Sequence, residues 1–506
     1  MDSLPATTAF TSAGRAWTFA VVSLALFMGM LDNLVVTTAL PSIQHALRAS
    51  VSDLEWTVNA YTLAFTMLMI PAAALGERFG RRRVLLIGVA LFTLGSAAAA
   101  LSDSALTLAL ARALQGIGGA CITPLTLTIL TRVFPPEKRA AAIGLWSGVS
   151  GLGLAAGPLV GGAVVNGWSW SAVFWINVPV GLLLLVLGRL RLEESRGDQV
   201  ALDLPGAALV SLGALGLVYG LIRGNALGWT SAPILGSIAA GLVLLALFVA
   251  YERRMSSPML DLDLFRSRGL SVANAVGFLM SFGMFGSIFL ITQFIQDVRG
   301  ASPLTAGLET MPWTGTIMLV APIAGIVAGR VGSRALVATG MALQALTLAW
   351  IGAMASLSVP YTTLLPAFII GGAGMGLSFA PLSSAVMDAV SGARQGQASG
   401  LYNATRELGG VFGIAILGAV FQHVATVPTR PQDFLDGFRV AVFVGSGVLA
   451  VGVLISVLLP RRATSLAADA AFDLPVPTAV PQTITTMTIA STNAQPAPDL
   501  MQLPTA

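Results

Sequence analysis

The sequence predicts an all-α membrane protein with about fourteen transmembrane helices, and three observations predict it. Only 10% of the 506 residues are charged and mean hydropathy is +0.83, where a soluble domain carries about 25% charged residues. No adequate polar shell can be built from that composition. Apolar runs close to the ~20 residues needed to cross a bilayer recur from end to end. The basic residues lie in short clusters between alternate runs.

The runs fall near 17–40, 55–75, 84–102, 105–132, 140–165, 171–190, 204–222, 233–251, 270–295, 304–328, 335–356, 361–387, 398–423 and 437–459. Residues 1–16 have no signal-peptide core, and the first run contains Asp32 and no cleavage site. They read as a cytoplasmic N-terminus ahead of a retained helix. Arginine and lysine are retained on the cytoplasmic side, and here they follow the even-numbered spans. Arg78, Arg81, Arg82 and Arg83 follow span two; Arg132, Lys138 and Arg139 follow span four; Arg189, Arg191 and Arg196 follow span six. Arg253, Arg254, Arg266 and Arg268 follow span eight, Arg330 and Arg334 span ten, Arg394 span twelve, and Arg461 and Arg462 span fourteen. The alternate loops hold only Arg48, Arg223, Arg299, Arg430 and Arg439. An even span count with both termini cytoplasmic follows. Residues 461–506, rich in Pro, Thr and Ala, read as a disordered cytoplasmic tail.

Several classes are excluded. A net charge of +4 and a pI near 9.7 do not indicate nucleic acid, because the basic residues are loop clusters. Cys121 is the sole cysteine, and His45 and His423 lie far apart, so neither disulfides nor a metal or other cofactor is expected. An ATP-driven pump needs a GxxxxGK[ST] loop, which the sequence lacks. An enzyme would need a catalytic cluster and a channel a filter-like segment; neither is evident.

The chain repeats itself. Residues 142–164 and 398–420 align without gaps, matching Ala142, Gly144, Leu145, Leu152, Gly153, Gly157, Gly162, Ala163 and Val164 to identical residues 256 positions on. A second echo pairs Arg78, Gly80 and Arg82 with Arg330, Gly332 and Arg334, 252 positions on. Repeated halves with a site between them are the architecture of secondary transporters. The expected organisation is a six-helix bundle over 17–190, an inserted helix pair over 191–260, and a second six-helix bundle over 261–460.

Four motifs carry mechanism. In ALGERFGRRR, residues 74–83, Gly80 permits a tight turn and the arginines anchor the loop. In LALARALQGIGGA, residues 108–120, Arg112 lies within an apolar span. There a guanidinium costs at least ~2.5 kcal/mol, so it should face a cavity or an acid. Asp32, in MLDNLVVTTALP on span one, is the natural partner. In GLGLAAGPLVGG, residues 151–162, Gly153, Gly157 and Gly161 share one helical face open to close approach by a neighbour, with Gly162 beside it. Pro158 should bend that helix, making it a plausible hinge. In WSWSAVFWINVPVG, residues 168–181, the tryptophans suit an interfacial belt.

These motifs, over nearly the whole chain, resemble the 14-helix drug:proton antiporters of the major facilitator superfamily. The resemblance implies the major facilitator fold, two six-helix bundles plus two inserted helices. It also implies proton-coupled export of drugs, antibiotics or other amphipathic or cationic compounds by alternating access. It assigns a conformational latch to Glu77 and Arg78 with Gly80 and Arg81. Here Glu77 stands for the usual aspartate and Ala73 for the usual first glycine. It places Asp32 and Arg112 in the proton-coupling apparatus and makes the glycine–proline stripe a mark of exporters. A static ion pair and a simple loop anchor are the competing readings. Glu309 is either a further proton site, a counter-charge for a cationic substrate, or a headgroup-level carboxylate.

Asn33, Gln115, Gln293, Gln296, Trp313, Asn403, Arg406 and Glu407 are the candidates for a substrate cavity. Arg406 and Glu407 are adjacent, so they point about 100° apart and are not assumed to pair. The partners expected are the lipid bilayer of a bacterial cell membrane, protons and a small molecule, acting on a monomer. A dedicated exporter of an endogenous metabolite or antibiotic is the alternative, and a proton symporter a weaker one.

Overall fold

The structure is a computed structural model that describes residues 12–196, 203–255, 258, 260, 262–390, 395–425, 427, 428 and 430–460. The first eleven residues, Arg394 and the tail from 461, Arg461 and Arg462 included, lie outside the described residues. The helices are α1 (Ser12–Leu47), α2 (Val51–Phe79), α3 (Arg81–Ala100), α4 (Ala105–Val133), α5 (Pro136–Gly167), α6 (Ala172–Trp175) and α7 (Asn177–Arg191). They continue with α8 (Leu204–Leu227), α9 (Ala232–Glu252), α10 (Arg268–Gln293), α11 (Pro303–Val331), α12 (Ser333–Met354), α13 (Tyr361–Asp388), α14 (Gln395–Val424) and α15 (Pro431–Ser456). In hydrocarbon every backbone N–H and C=O must find its partner inside the protein, which is why each apolar run becomes a helix. With α6 and α7 forming one span, 14 helices among the described residues are long and apolar enough to cross a membrane.

Polar residues set the helix ends. Ser50 caps α2 reciprocally with Asp53, and Ser302 caps α11. Gly80 ends α2 at φ 115° and Gly332 ends α11 at φ 89°. Both conformations suit glycine. Each pair is 252 positions apart, so the short echo in the sequence marks two copies of one helix with the same start and stop.

The repeat extends to packing. In the first half α1 packs on α5 and α7, α4 on α2 and α3, and α3 on α7. In the second, α10 packs on α14 and α15, α13 on α11 and α12, and α12 on α15. The two sets are one pattern drawn twice. The inserted α8 and α9 pack on each other, and α8 also covers α2 and α14.

The glycine stripe faces α1. Gly153 meets Phe27 and Met30, Gly157 meets Leu34, and Gly161 meets Val35 and Thr38. Their echoes Gly409 and Gly413 lie on the backbone of α10 at Phe278 and Phe282. Helix α5 runs unbroken through Pro158, whose carbonyl faces Gly307 of α11.

The turn after α2, the end of α4 and the segment after α7, each with its arginines, lie together at one end of the bundle: Arg81 N–H donates to the Ser195 carbonyl (2.8 Å) and Arg132 Nη1 to the Arg196 carbonyl (3.3 Å). Among the described residues, the polar contacts that join the two halves fall at the other end. There Gln296 donates to the Thr38 carbonyl (3.0 Å), Ser52 and Gln422 are hydrogen-bonded (3.0 Å), and His45 lies 3.7 Å from Asp297. Gly162 packs on Pro303 and Leu304 at the same end.

A Cβ at Gly157 would sit 2.6 Å from that of Leu34, whereas one at Gly148 would meet nothing within 4 Å. Gly157→Val is therefore expected to cost about 1–3 kcal/mol by overpacking, seen as a lower unfolding temperature in detergent. Gly148→Ala should leave that temperature unchanged or raise it.

Candidate functional site

Arg112 is the largest side chain that is fully enclosed, 1% exposed, and Asp32 beside it is 2% exposed. A buried charge is tolerated only when paired and hydrogen-bonded, and both conditions are met. Arg112 Nη1 donates to Asp32 Oδ2 (2.5 Å) and to Gln115 Oε1 (3.0 Å), while Nε donates to the Thr57 carbonyl (3.2 Å). Asp32 Oδ1 accepts from Asn177 Nδ2 (2.7 Å) and Gln115 Nε2 (3.3 Å), and that nitrogen also donates to Ser96 Oγ (2.7 Å). The guanidinium lies 4.3 Å from the Tyr61 ring centre and 5.9 Å from that of Phe174. Cation–π contacts of this kind strengthen when desolvated.

Two cavities lie between the halves. One is lined by Asn33 and Thr37 of α1, Val58 and Thr62 of α2, Phe285, Ile288 and Phe289 of α10, and Glu407, Gly410 and Ile414 of α14. The other shares Thr37 and Ile288 and reaches Pro158, Thr310, Trp313 and Phe368. Both are mostly apolar with a few polar groups, the usual make-up of a small-molecule site. Asp32 and Arg112 line neither cavity.

The other residues singled out in the sequence disperse. Glu407 reaches the first cavity, and its Oε1 accepts from Arg406 Nη2 at 2.9 Å, so these neighbours do pair. Arg406 also lies 4.9 Å from the Phe379 ring centre. Asn33 and Trp313 line the cavities, and Gln115 belongs to the ion-pair network. Gln296 joins the halves, whereas Gln293 and Asn403 return their amides to their own helices at Phe289 and Ser399. Glu309 is held by both terminal nitrogens of Arg299, outside either cavity.

The loop after α2 has its own geometry. Glu77 pairs with Arg81, donors Nε and Nη2 at 2.9 and 2.6 Å, and not with Arg78, which is exposed beside Phe79. Glu194, from the segment after α7, accepts from the backbone N–H groups of Arg82 (3.0 Å) and Arg83 (3.1 Å). A carboxylate at the start of α3 satisfies unpaired amides there and suits the positive end of the helix. The sequence reading did not single out Glu194, Asn177, Ser96 or Tyr61. Only Asn177, a lone amide in an apolar span, carried a signal.

A twofold-repeated helical bundle with cavities at its dividing plane has the build of a secondary transporter. The Major Facilitator Superfamily model matches residues 22–262 and 273–494. The chain belongs to that family and is a multi-pass membrane transporter. It is 34% identical over 486 residues to multidrug resistance protein Stp of Mycobacterium tuberculosis (strain CDC 1551 / Oshkosh), covering 86% of this chain and 90% of that one. It is 38% identical over 411 residues to the tetracenomycin C resistance and export protein of Streptomyces glaucescens, covering 80% and 76%. Among solved structures it superposes on a bacterial homologue of the human lysosomal transporter Spinster with a TM-score of 0.64 at 15% identity, covering 91% of this chain and 99% of that one.

Arg112→Met leaves Asp32 buried with neutral donors alone and is expected to cost ~3–5 kcal/mol, measurable as lost thermal stability of the purified protein. Asp32→Asn should also lower that stability, because Arg112 then loses its counter-charge and keeps only the Thr57 carbonyl, Gln115 and the Tyr61 face.

Proposed function

We propose that this chain is a proton-coupled antiporter of the bacterial cell membrane that exports amphipathic or cationic drugs or antibiotics as a monomer. Both termini lie in the cytoplasm in this reading, because the arginine clusters share the end where the N-terminal helix begins. The halves then meet at the outer end, and the cavities are approached from the cytoplasm.

The observation that carries the proposal is the sealed Asp32–Arg112 pair, one residue along α1 from the cavity-lining Asn33. Proton and substrate have separate places on one helix. Protonating Asp32 removes the charge that Arg112, Gln115 and Asn177 all address, so α1 must settle differently against α4 and α7. Asn33 and Thr37 move with it. The substrate site is thereby rebuilt without direct contact between drug and proton. Glu407, with Arg406 beside it, is the charged group placed to meet a cationic substrate. Glu77, Arg81 and Gly80 fix the cytoplasmic turn against Glu194, and the glycine face with Pro158 gives α5 its sliding contact on α1 and α11. The names of the relatives, multidrug resistance in one and resistance and export in the other, support the direction. The tetracenomycin relative also favours a narrower reading, in which a single antibiotic of the host cell is the substrate.

The test is reconstitution in vesicles under an imposed pH gradient with a panel of cationic dyes and antibiotics. Gradient-driven flux is expected for the parent protein, and Asp32→Asn should still bind substrate but fall to the flux of empty vesicles. Absence of proton-linked flux across the whole panel overturns the proposal. Movement of one compound alone selects the narrower reading.

A further inference from the structure

We infer that Glu55 is a second proton-binding residue, and that its proton, taken from water at the arginine-poor end, holds the α2–α14 seam shut. The inference rests on the two-state reading of the halves given above.

Glu55 lies one turn into α2 and is 0% exposed. Its Oε1 accepts from Gln422 Nε2 of α14 at 2.7 Å, and its Oε2 has no hydrogen-bond partner among the described residues. On its other side Gln422 Oε1 lies 3.0 Å from Ser52 Oγ, whose single proton is also within reach of the Ile222 carbonyl at 3.2 Å. The charged groups facing Glu55 are Arg223 of α8 and Asp53 of its own helix. Arg223 is taken by Asp53, Nη2 to Oδ1 at 3.3 Å. One amide donor and no ion-pair partner do not hold an ionised carboxylate in a closed apolar seam. A neutral carboxylic acid meets the site at far lower cost.

The repeat shows that this acid is not there for packing. Two seams join the halves, α5 on α11 and α14 on α2. Gly162 and its echo Gly418 sit at the same end of each. Gly162 meets the Pro303 and Leu304 backbone, while Gly418 meets the Glu55 carboxyl. On α11 the position matching Glu55, 252 residues on, is Gly307, which packs directly on the Pro158 carbonyl. One seam closes by bare backbone contact, and the other inserts a titratable group where glycine suffices.

The proton balance is simple. When the seam parts, water reaches Glu55 and the acid releases its proton to that side, leaving the carboxylate hydrated. Closure takes a proton back from the same side. The closed state therefore holds an additional proton, and acid on that side favours closure. Glu55 moves no net charge across the membrane; it sets how readily the outer seam opens. His45, 3.7 Å from Asp297 at the same end, is the other titratable group that bridges the halves, and the test must separate the two.

Full-length protein in nanodiscs, with the lone Cys121 replaced by Ser, is spin-labelled at Ala46→Cys and His423→Cys, both exposed at this end. Inter-label distances are measured in acidic and in alkaline buffer. The expected result is a short distance in acid and a growing longer population in alkali. Glu55→Gln should hold the short distance in both; if that variant does not fold, Glu55→Met, also uncharged, carries the same expectation. His45→Gln should keep the response of the parent. A parent without pH response, a Glu55 variant that responds like the parent, or a His45→Gln variant that does not respond each overturns the inference. Loss of the label response with proton-linked flux intact removes the seal and leaves antiport standing. A label response without proton-linked flux does the reverse.

Discussion

A guanidinium fixed in the hydrocarbon layer is the constraint on which the first bundle depends. Arg112 cannot shed its charge, so the protein around it must supply both a counter-charge and donors for that counter-charge. The result is a network that draws on α1 through Asp32, α2 through the Thr57 carbonyl and Tyr61, α3 through Ser96, α4 through Arg112 and Gln115, and α7 through Asn177. Among the described residues of the six spans of this half, only those of α5 contribute nothing polar to it. That helix instead presents glycines to α1, and glycine contacts do not tie two helices by hydrogen bonds. The half thus has a rigid polar centre and one face whose contact is purely steric.

The second half repeats the frame without the charge. Phe368 stands 256 positions after Arg112 on the matching helix and is 0% exposed, against Trp313 at 6.2 Å between ring centres. Gly157 meets Leu34 where its echo Gly413 meets Phe282, so the counterpart of Asp32 is Met280, 1% exposed. An ion pair in one bundle is an apolar contact in the other. Three carboxyl groups have distinct places: Asp32 inside the first bundle, Glu407 at the cavity, and Glu55 in a seam at the arginine-poor end. A symmetric frame with asymmetric chemistry lets the same rocking motion meet different groups at its two extremes.

Most of the frame was legible in the sequence, because hydropathy and arginine placement report directly on the membrane. The limits of the reading are also physical. Span two was expected over 55–75 and the helix runs 51–79. A hydropathy pattern ends where polar residues begin, while the Ser50–Asp53 cap carries the helix through Ser52 and Asp53. That shortfall is why Glu55 passed unremarked at the edge of a run. The glycine face was legible since helical spacing alone decides it. Of the ion pairs, Asp32–Arg112 was legible as two opposite charges within apolar spans, while others were not: Glu77 reaches Arg81 four positions on, the helical neighbour, in place of the adjacent Arg78. Arg299 reaches Glu309 across a helix connection, which no spacing rule anticipates.

The packing also fixes what kind of motion is available. Within each half, helices are joined by wide apolar contact and, in the first, by a hydrogen-bonded centre. An apolar core also runs across the halves, but among the described residues their polar joints are single: Gln296 on one carbonyl, Gln422 on Ser52 and Glu55, and His45 beside Asp297. Gly162 and Gly307 bring the facing backbones close. On the proposed reading each half moves as a body about these contacts. In that reading, opening rehydrates the polar groups at the seams, and the protonation of a few carboxyl groups governs how much that costs. The broad apolar surfaces then serve to keep each half rigid.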